Sequence, residues 1–287
     1  MSANAEAIEA WNTVLYDKFT EYRDLLVTAL AVHGTRAIER HAPGPGARVV
    51  DLGCGFGDTA IELARKVGPS GRVVGLDAAK RFIVKAREEA AGHANVSFDV
   101  ADIQASVPGG PYDFAFSRMG MMFFLSPVIA LRNVREALAP NGRLCMVVWR
   151  SKAANACIDL PEQAVLNVLG RPDKGDNVTC GPGPFSMASA DVVGDQLVAA
   201  GFTDIAFERS DASVDIGTDL DAALRFALTL GPAGEIVRLA GDEAVRRRAE
   251  IEAAVREAMA AFVTPGGAIR GPTSCWIVTA RAASRSS

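Results

Sequence analysis

The amino-acid sequence predicts an α/β fold, a doubly wound domain in which helices cover both faces of a parallel sheet. Between residues 47 and 150, short runs rich in β-branched residues alternate with helical patterns, as in consecutive βαβ units. Most of these runs are apolar throughout, which is typical of strands that are buried on both faces. A glycine-rich turn follows the first run and leads into a helix. With 287 residues, the chain is long enough for one such domain and added segments.

Strands and helices alternate in this predicted core. The strands are expected at residues 47–52, 72–77, 95–100, 112–117 and 142–150. The helices are expected at residues 58–67, 79–91 and 126–138. Pro140, Asn141 and Gly142 close the last of these helices, because such a turn cannot continue it.

The segments outside the core are mostly helical in pattern. Apolar residues recur at three- and four-residue steps through the first forty residues and predict one amphipathic helix. Residues 151–188 read as a short helix plus loops. A capped helix is expected at 189–200, a strand near 203–209, two helices within 211–272 and a last strand at 274–282. We therefore divide the chain into an N-terminal helical lid, a core, an insertion, a core helix with its strand, a second helical insertion, and a last strand with a tail, at residues 1–44, 45–150, 151–188, 189–210, 211–272 and 273–287.

Composition excludes several classes of function. The formal charge is −4 and no run of five like charges occurs, so we expect no nucleic-acid partner, because such binding needs a basic surface. The five cysteines include no C-x-x-C pair and no neighbouring histidine, so we expect no metal site and reduced thiols. The sequence contains no apolar run of membrane-spanning length and no secretory signal pattern, so we expect no membrane span and a cytoplasmic protein.

The glycine-rich turn is the first candidate binding site. Gly53, Gly55 and Gly57 allow a sharp bend and let a ligand approach the backbone beside the positive end of a helix dipole. The dinucleotide fingerprint G-x-G-x-x-G would place its third glycine at position 58, which is Asp58. The early third glycine and the charge of Asp58 therefore argue against a pyrophosphate ligand.

Two carboxylates follow neighbouring strands. Asp77 ends the second strand, where a carboxylate can accept hydrogen bonds from both ribose hydroxyls. Asp102 follows the third strand and can accept a hydrogen bond from an exocyclic amino group such as adenine N6. Ligands of open α/β sheets lie outside the carboxyl ends of the strands, so these features converge on one crevice. They predict a nucleoside with an amino-acid-like tail.

Five stretches carry a family resemblance: VVDLGCGFGDTA, VVGLDAA, VADIQ, YDFAFSRMGMMFF and ALAPNGRLCMVVWR. In their order and spacing, the chain resembles class I S-adenosylmethionine-dependent methyltransferases over roughly residues 45–150, particularly the branch similar to ubiquinone/menaquinone-biosynthesis C-methyltransferases. The resemblance implies a Rossmann-like seven-stranded sheet with an antiparallel last strand, supplied by SCWIVTARA. It also implies S-adenosyl-L-methionine as cofactor.

The resemblance assigns a role to each cofactor-binding residue. Gly53, Gly55 and Gly57 pass close to the methionine part, and Cys54 sits within the same loop. Asp77 holds the ribose. The remaining assignments are Asp102 with the backbone of Ile103 for the adenine, Ala78 for the adenine face and Ser117 for the methionine side.

The acceptor molecule is less well defined by the sequence. Candidate pocket residues are Tyr16, Met119, Phe123 and Phe185, and helical additions around the core favour a small, partly hydrophobic substrate. Aromatic residues of the N-terminal segment could form a lid or only fix that helix to the domain. No residue stands out as a general base, so the accepting atom stays open among C, O, S and N. An NAD(P)-dependent oxidoreductase and a non-catalytic cofactor-binding module remain alternatives, and a homo-oligomer is compatible with the sequence.

Overall fold

A computed structural model describes residues 4–173 and 181–283, which form a seven-stranded mixed sheet flanked by helices. The strands are β1 Arg48–Leu52, β2 Arg72–Asp77, β3 Val96–Val100, β4 Tyr112–Arg118, β5 Leu138–Trp149, β6 Phe202–Gly217 and β7 Ile269–Ala282. Their order is β3-β2-β1-β4-β5-β7-β6. The first five strands are parallel, and β7 runs antiparallel to both β5 and β6. The predicted α/β class and the antiparallel last strand are confirmed.

Helices cover both faces of the sheet and extend beyond it. They are α1 Ala5–Asn12, α2 Val14–Glu21, α3 Arg23–His41, α4 Asp58–Val67, α5 Lys80–Glu89, α6 Pro127–Ala137, α7 Ala156–Leu169, α8 Ala190–Ala200, α9 Leu220–Thr229, α10 Gly231–Ala240, α11 Asp242–Arg246 and α12 Arg248–Met259. Short 3₁₀ turns lie at Met121–Phe123, Lys152–Ala154 and Ala260–Phe262. The three helices that the sequence predicts between the core strands are present within two residues of their expected ends.

Apolar residues form two main clusters. The larger lies on the central strands, where side chains such as Val49, Leu76 and Phe116 are fully buried because helices pack on both faces. The second joins α7, α9, α10 and α12 to the outer halves of β6 and β7. A separate helical body therefore stands beside the carboxyl ends of the sheet, held by its own core.

Several predicted elements differ from the observed ones. The single N-terminal helix is three helices, with breaks at Thr13 and Tyr22. The pattern predicts two helices within residues 211–272, whereas α9, α10, α11 and α12 lie there. Gly231 is the first residue of α10. The turn at 140–142 lies inside β5 as a bulge, with Asn141 at a φ of 62°. Residues 174–180 of the predicted 151–188 insertion, including Cys180, lie outside the described residues.

The two C-terminal strands are longer than predicted. β6 continues from the expected end near residue 209 to Gly217, and β7 begins at Ile269, before the expected residue 274. The added residues pair with one another as far as Gly217 and Ile269. Buried side chains on this extension, such as Val214 and Ile216, belong to the second apolar cluster. The extension thus carries the helical body.

A buried histidine ties α3 to β6 and β7. His33 Nδ1 lies 2.8 Å from Ser210 Oγ, and Nε2 lies 2.9 Å from Thr273 Oγ1. Arg36 Nη1 donates to Ser210 Oγ at 2.7 Å, and Thr273 Oγ1 donates to the carbonyl of Ala212 at 3.2 Å. Ser210 therefore has its hydrogen free for Nδ1, and this network assigns the imidazole proton to Nε2. Burial, together with the charge of Arg36, lowers the pKa of His33 to about 4.

We expect His33 to make a contribution to stability that is present above pH 6.5 and is lost as the pH falls toward 4. In this window the unfolded chain binds a proton that the folded chain does not. The free energy of unfolding therefore falls by about 1.4 kcal/mol for each pH unit of acidification. Urea unfolding of the wild type and His33→Gln between these pH values measures the difference in slope. His93→Gln serves as a control outside the network, and equal slopes for wild type and His33→Gln would contradict the assignment.

Candidate functional site

The candidate site lies where the strand order reverses. β1 stands between β2 and β4, and chain connections leave these strands in opposite directions. In open α/β sheets such a point leaves a crevice at the carboxyl ends of the strands, where ligands bind. The glycine turn after β1, the end of β2 and the loop after β3 all lie at this edge.

The glycine turn has left-handed backbone at each of its three glycines. The φ angles of Gly53, Gly55 and Gly57 are 67°, 51° and 83°. A Cβ at Gly57 would come within 2.8 Å of the Phe98 ring, and a Cβ at Gly53 within 3.0 Å of the Gly120 backbone. A Cβ at Gly55 would meet nothing within 4 Å. Gly53 and Gly57 therefore serve packing, whereas Gly55 faces open space.

Asp77 fastens the glycine turn to the end of β2. Its Oδ2 accepts the N–H of Gly55 at 3.0 Å, and its Oδ1 accepts the N–H of Ala79 at 2.8 Å. Burial raises the pKa of this carboxyl, and the two backbone hydrogen bonds act in the opposite direction. Each carboxylate oxygen can accept a further hydrogen bond, so Asp77 can hold the turn and a ligand hydroxyl together.

The loop after β3 reaches the same edge. The N–H of Ala101 donates to the carbonyl of Asp77 at 3.0 Å, which places Asp102 one residue beyond that contact. Asp102 is half-buried, and its Oδ1 accepts the N–H of Gln104 at 3.0 Å. The Ile103 side chain is buried, and Asn133 Nδ2 donates to its carbonyl at 2.8 Å. Ala78 is half-buried beside Asp77.

A buried carboxyl group underlies the glycine turn. Asp51 on β1 is buried, and its Oδ2 has no hydrogen-bond partner. Burial raises the pKa of Asp51 to about 8, while the charge of Arg118 acts in the opposite direction. Arg118 Nη2 donates to Asp58 Oδ2 at 2.7 Å, and Gly34 on α3 leaves room for the arginine stem.

The ion pair corrects one argument from the sequence. Asp58 was expected to repel a pyrophosphate, but the guanidinium of Arg118 offsets its charge. The early third glycine differs from the dinucleotide fingerprint whatever the charge of Asp58, because the close contact of Gly57 with Phe98 fixes the turn.

Two predicted site residues point inward. Cys54 is buried, its sulfur lies toward Gly75 of β2, and burial raises the pKa of its thiol well above the usual range. Ser117 is buried, and its hydroxyl donates to the carbonyl of Leu52 at 2.8 Å. In this arrangement both side chains support the turn from beneath.

Aromatic side chains of the N-terminal helices cover the turn. The ring centroids of Trp11 and Tyr16 lie 6.3 and 5.0 Å from that of Phe82, and the Phe56 ring lies 5.0 Å from Phe82. The guanidinium of Arg81 lies 3.9 Å from the Tyr16 ring centroid. The predicted aromatic segment is therefore packed against α5 and the turn. Its role as a lid stays a prediction.

The other predicted pocket residues lie beyond β4 and β5. Met119 is 9% exposed and has a φ of 60°, an uncommon angle for a residue other than glycine. Phe123 is 4.9 Å from Trp11 by ring centroids. Phe185 is 6.4 Å from Trp149, and the next residue, Ser186, donates from Oγ to the carbonyl of Met122 at 2.5 Å. These contacts bring Phe123 and Phe185 onto one side of the crevice.

The sequence interpretation missed Phe56, Phe82 and the Arg118–Asp58 pair. Phe56 lies between Gly55 and Gly57, so its position in the sequence could have indicated that its ring packs over the turn. Phe82 and Arg118 gave no local signal, because their partners are distant in sequence. The four described cysteines are buried and unpaired. Over residues 4–173 and 181–283, there is no group of three or more potential metal ligands, and no helix is long and apolar enough to cross a membrane.

Known proteins resemble this chain mainly in its core. Residues 43–167 match the family model described as a methyltransferase domain. Aklanonic acid methyltransferase of Streptomyces sp. (strain C5) is 36% identical over 116 residues, which are 39% of this chain and 52% of that protein. Demethylmenaquinone methyltransferase of Staphylococcus carnosus (strain TM300) is 29% identical over 98 residues, 34% of this chain and 41% of that protein. The chain thus spans about half or less of the length of these curated relatives.

The fold is also found among solved structures. The YcgJ protein of Bacillus subtilis has a TM-score of 0.56 at 18% identity, with 88% of this chain and 98% of that chain covered. This likeness concerns the fold alone.

Proposed function

We propose that this chain, whose residues 43–167 match a methyltransferase domain, transfers a methyl group from S-adenosyl-L-methionine to a small, partly hydrophobic organic molecule. The observation that carries the proposal is the link between Gly55 and Asp77. One carboxylate holds a left-handed turn whose outer side is open, and it keeps acceptor capacity for a ligand.

The residues present fit the proposed methyl donor. The open space at Gly55 gives room against the backbone, and the unpartnered Oδ2 of buried Asp51 supplies an acceptor beneath it. We assign the methionine side to Gly53, Gly55 and Gly57, with Cys54 and Ser117 supporting the turn from below. Asp77 would hold the ribose. Asp102 and the backbone of Ile103 would hold the adenine edge, and Ala78 its face.

S-adenosyl-L-methionine, when bound, supplies an electrophilic methyl group. The chain's own task is then to orient the acceptor and exclude water, and such positioning can contribute about 7–11 kcal/mol. The rings of Trp11, Tyr16 and Phe82 would exclude water above the turn. We propose that the N-terminal helices and the two insertions form the acceptor cap, with Tyr16, Met119, Phe123 and Phe185 as pocket residues.

The acceptor is proposed to be a small molecule and not a nucleic acid. The net charge of −4 supports this, and the two methyltransferases compared above bear the names of small organic molecules. We place the activity in the cytoplasm, in keeping with the buried free thiols. A homo-oligomer is compatible with the proposal.

A thermal-shift comparison tests the cofactor class. We expect S-adenosylhomocysteine to raise the melting temperature in a concentration-dependent manner and NAD to leave it unchanged, because only a ligand that binds the folded state stabilises it. Stabilisation by NAD alone would replace the proposal with an oxidoreductase. Binding of S-adenosylhomocysteine without labelled product from S-adenosylmethionine and cell extracts would favour a non-catalytic binding module.

A further inference from the structure

A buried carboxylate with one unsatisfied oxygen lies beside the aromatic side of the crevice. Glu162 on α7 is 3% exposed, and its Oε1 accepts a hydrogen bond from Lys152 Nζ at 2.5 Å. Its Oε2 is closed to solvent and has no hydrogen-bond partner. A buried carboxylate oxygen without a donor is destabilising, so this atom requires an explanation beyond the ion pair.

The surroundings of the pair point to a ligand. Lys152 lies three residues beyond the end of β5, and its Nζ is 5.7 Å from the Phe185 ring centroid. Phe185 in turn lies 6.4 Å from Trp149, the last residue of β5. The Lys152 side chain is 38% exposed and that of Glu162 is 4% exposed, so a dissolved molecule meets Lys152 first. One acceptor oxygen, one ammonium and two aromatic rings are thus gathered beside the ends of β4 and β5.

We propose that Glu162, Lys152 and Phe185 form the subsite that recognises the methyl acceptor, and that the acceptor is a planar ring with two adjacent oxygens, at least one of them a hydroxyl. This inference rests on the proposed function. Glu162 Oε2 is closed to solvent without a ligand, so binding requires the exposed Lys152 side chain to shift and open a path to it. The hydroxyl then donates to Glu162 Oε2, the neighbouring oxygen accepts from Lys152 Nζ, and the ring packs on Phe185. Because the two charged groups are in direct contact, their ligand must present its donor and acceptor on neighbouring atoms.

The charges of Lys152 and Glu162 also favour a neutral ligand over a charged one. Lys152 already supplies the positive charge that Glu162 needs, and its ammonium lies near the Phe185 ring. A cationic amine would be repelled by Lys152, and an anion would gain Lys152 but face the Glu162 carboxylate. A neutral hydroxylated ring satisfies both residues.

Binding of two probe molecules tests the subsite without turnover. Catechol carries the hydroxyl donors, and 1,2-dimethoxybenzene has the same ring and oxygens without a donor. We expect ligand-observed NMR titration to show that catechol binds more tightly to the wild type. Glu162→Gln should lower the affinity for catechol about ten-fold or more, which is the usual contribution of a hydrogen bond to a charged group. The affinity for 1,2-dimethoxybenzene should stay unchanged.

Controls separate the subsite from folding and from cofactor binding. Glu252→Gln removes a carboxylate from a different ion pair, with Arg248 on the surface of α12, and should bind both probes like the wild type. Lys152→Met should weaken the binding of both probes, since each offers an oxygen to the ammonium. Equal binding of the two probes, or unchanged catechol binding in Glu162→Gln, would overturn the subsite. If S-adenosylhomocysteine still binds in that case, the proposed function stands; if it fails to bind the wild type, the proposed function itself fails.

Discussion

Asp77→Ala should weaken binding of S-adenosylhomocysteine by about 1.5–3 kcal/mol, the range for a hydrogen bond to a charged group. The variant removes the acceptor for the ligand hydroxyl and also frees the N–H groups of Gly55 and Ala79. Isothermal titration calorimetry measures the loss directly. Asp77→Asn keeps one acceptor oxygen and should fall between the wild type and Asp77→Ala.

Asp113→Asn is a matched control for this experiment. Asp113 also accepts a backbone N–H, from Arg48 at 2.8 Å, but it lies near the amino ends of β1 and β4. Its replacement should leave binding of S-adenosylhomocysteine unchanged. Wild-type affinity in Asp77→Ala would show that the ribose assignment is misplaced, whereas equal losses in both variants would indicate a general loss of stability.

Alanine at Gly57 and alanine at Gly55 should have different consequences. Gly57→Ala should lower the free energy of unfolding by about 2–5 kcal/mol, because a left-handed residue other than glycine costs about 1–2 kcal/mol and overpacking about 1–3. The clash is with the Phe98 ring, which is buried and cannot move aside cheaply. Gly55→Ala should cost about 1–2 kcal/mol from its backbone angle alone, since no atom lies within 4 Å of the added carbon.

The pair also separates packing from binding. Gly55→Ala fills the space that we assign to the ligand, so it should reduce affinity for S-adenosylhomocysteine while the protein stays folded. Chemical denaturation gives the stability of each variant and calorimetry gives its affinity. A Gly55→Ala protein that is folded and binds normally would remove Gly55 from the proposed site.

The core of this fold could be predicted from the sequence because its signals are local. Most of the core strands are continuous apolar runs, and Gly57 and Gly201 mark helix boundaries by conformations that favour glycine. The resemblance then supplied the antiparallel last strand. The candidate cofactor residues follow from the ends of three strands, which topology brings to one edge.

Contacts between distant segments could not be read in the same way. The outer part of β6 alternates polar and apolar residues, which is typical of a half-buried strand, but the sequence interpretation ended the strand near residue 209. Its pairing with β7 joins segments that are distant in sequence and has no local signal. Pro161 made a long helix over 156–169 improbable by local rules, since it removes one backbone donor. The burial of Cys157 and Val165 on the same helix offsets that loss. Glu162 and Lys152 lie ten positions apart, and nothing in their neighbours indicates that they meet.

Asp51 and His33 respond to acid in opposite directions. With a folded pKa of about 8, Asp51 keeps its proton in mildly acidic solution and releases it on unfolding, whereas His33, with a pKa of about 4, takes one up. Between pH 4 and 6.5 the proton that Asp51 releases on unfolding offsets the proton that His33 binds. Unfolding therefore leaves the number of protons bound by these two groups nearly constant. Mild acidification therefore leaves the combined contribution of these two groups to the free energy of unfolding nearly unchanged, and the effect of either group becomes visible only when the other has been replaced.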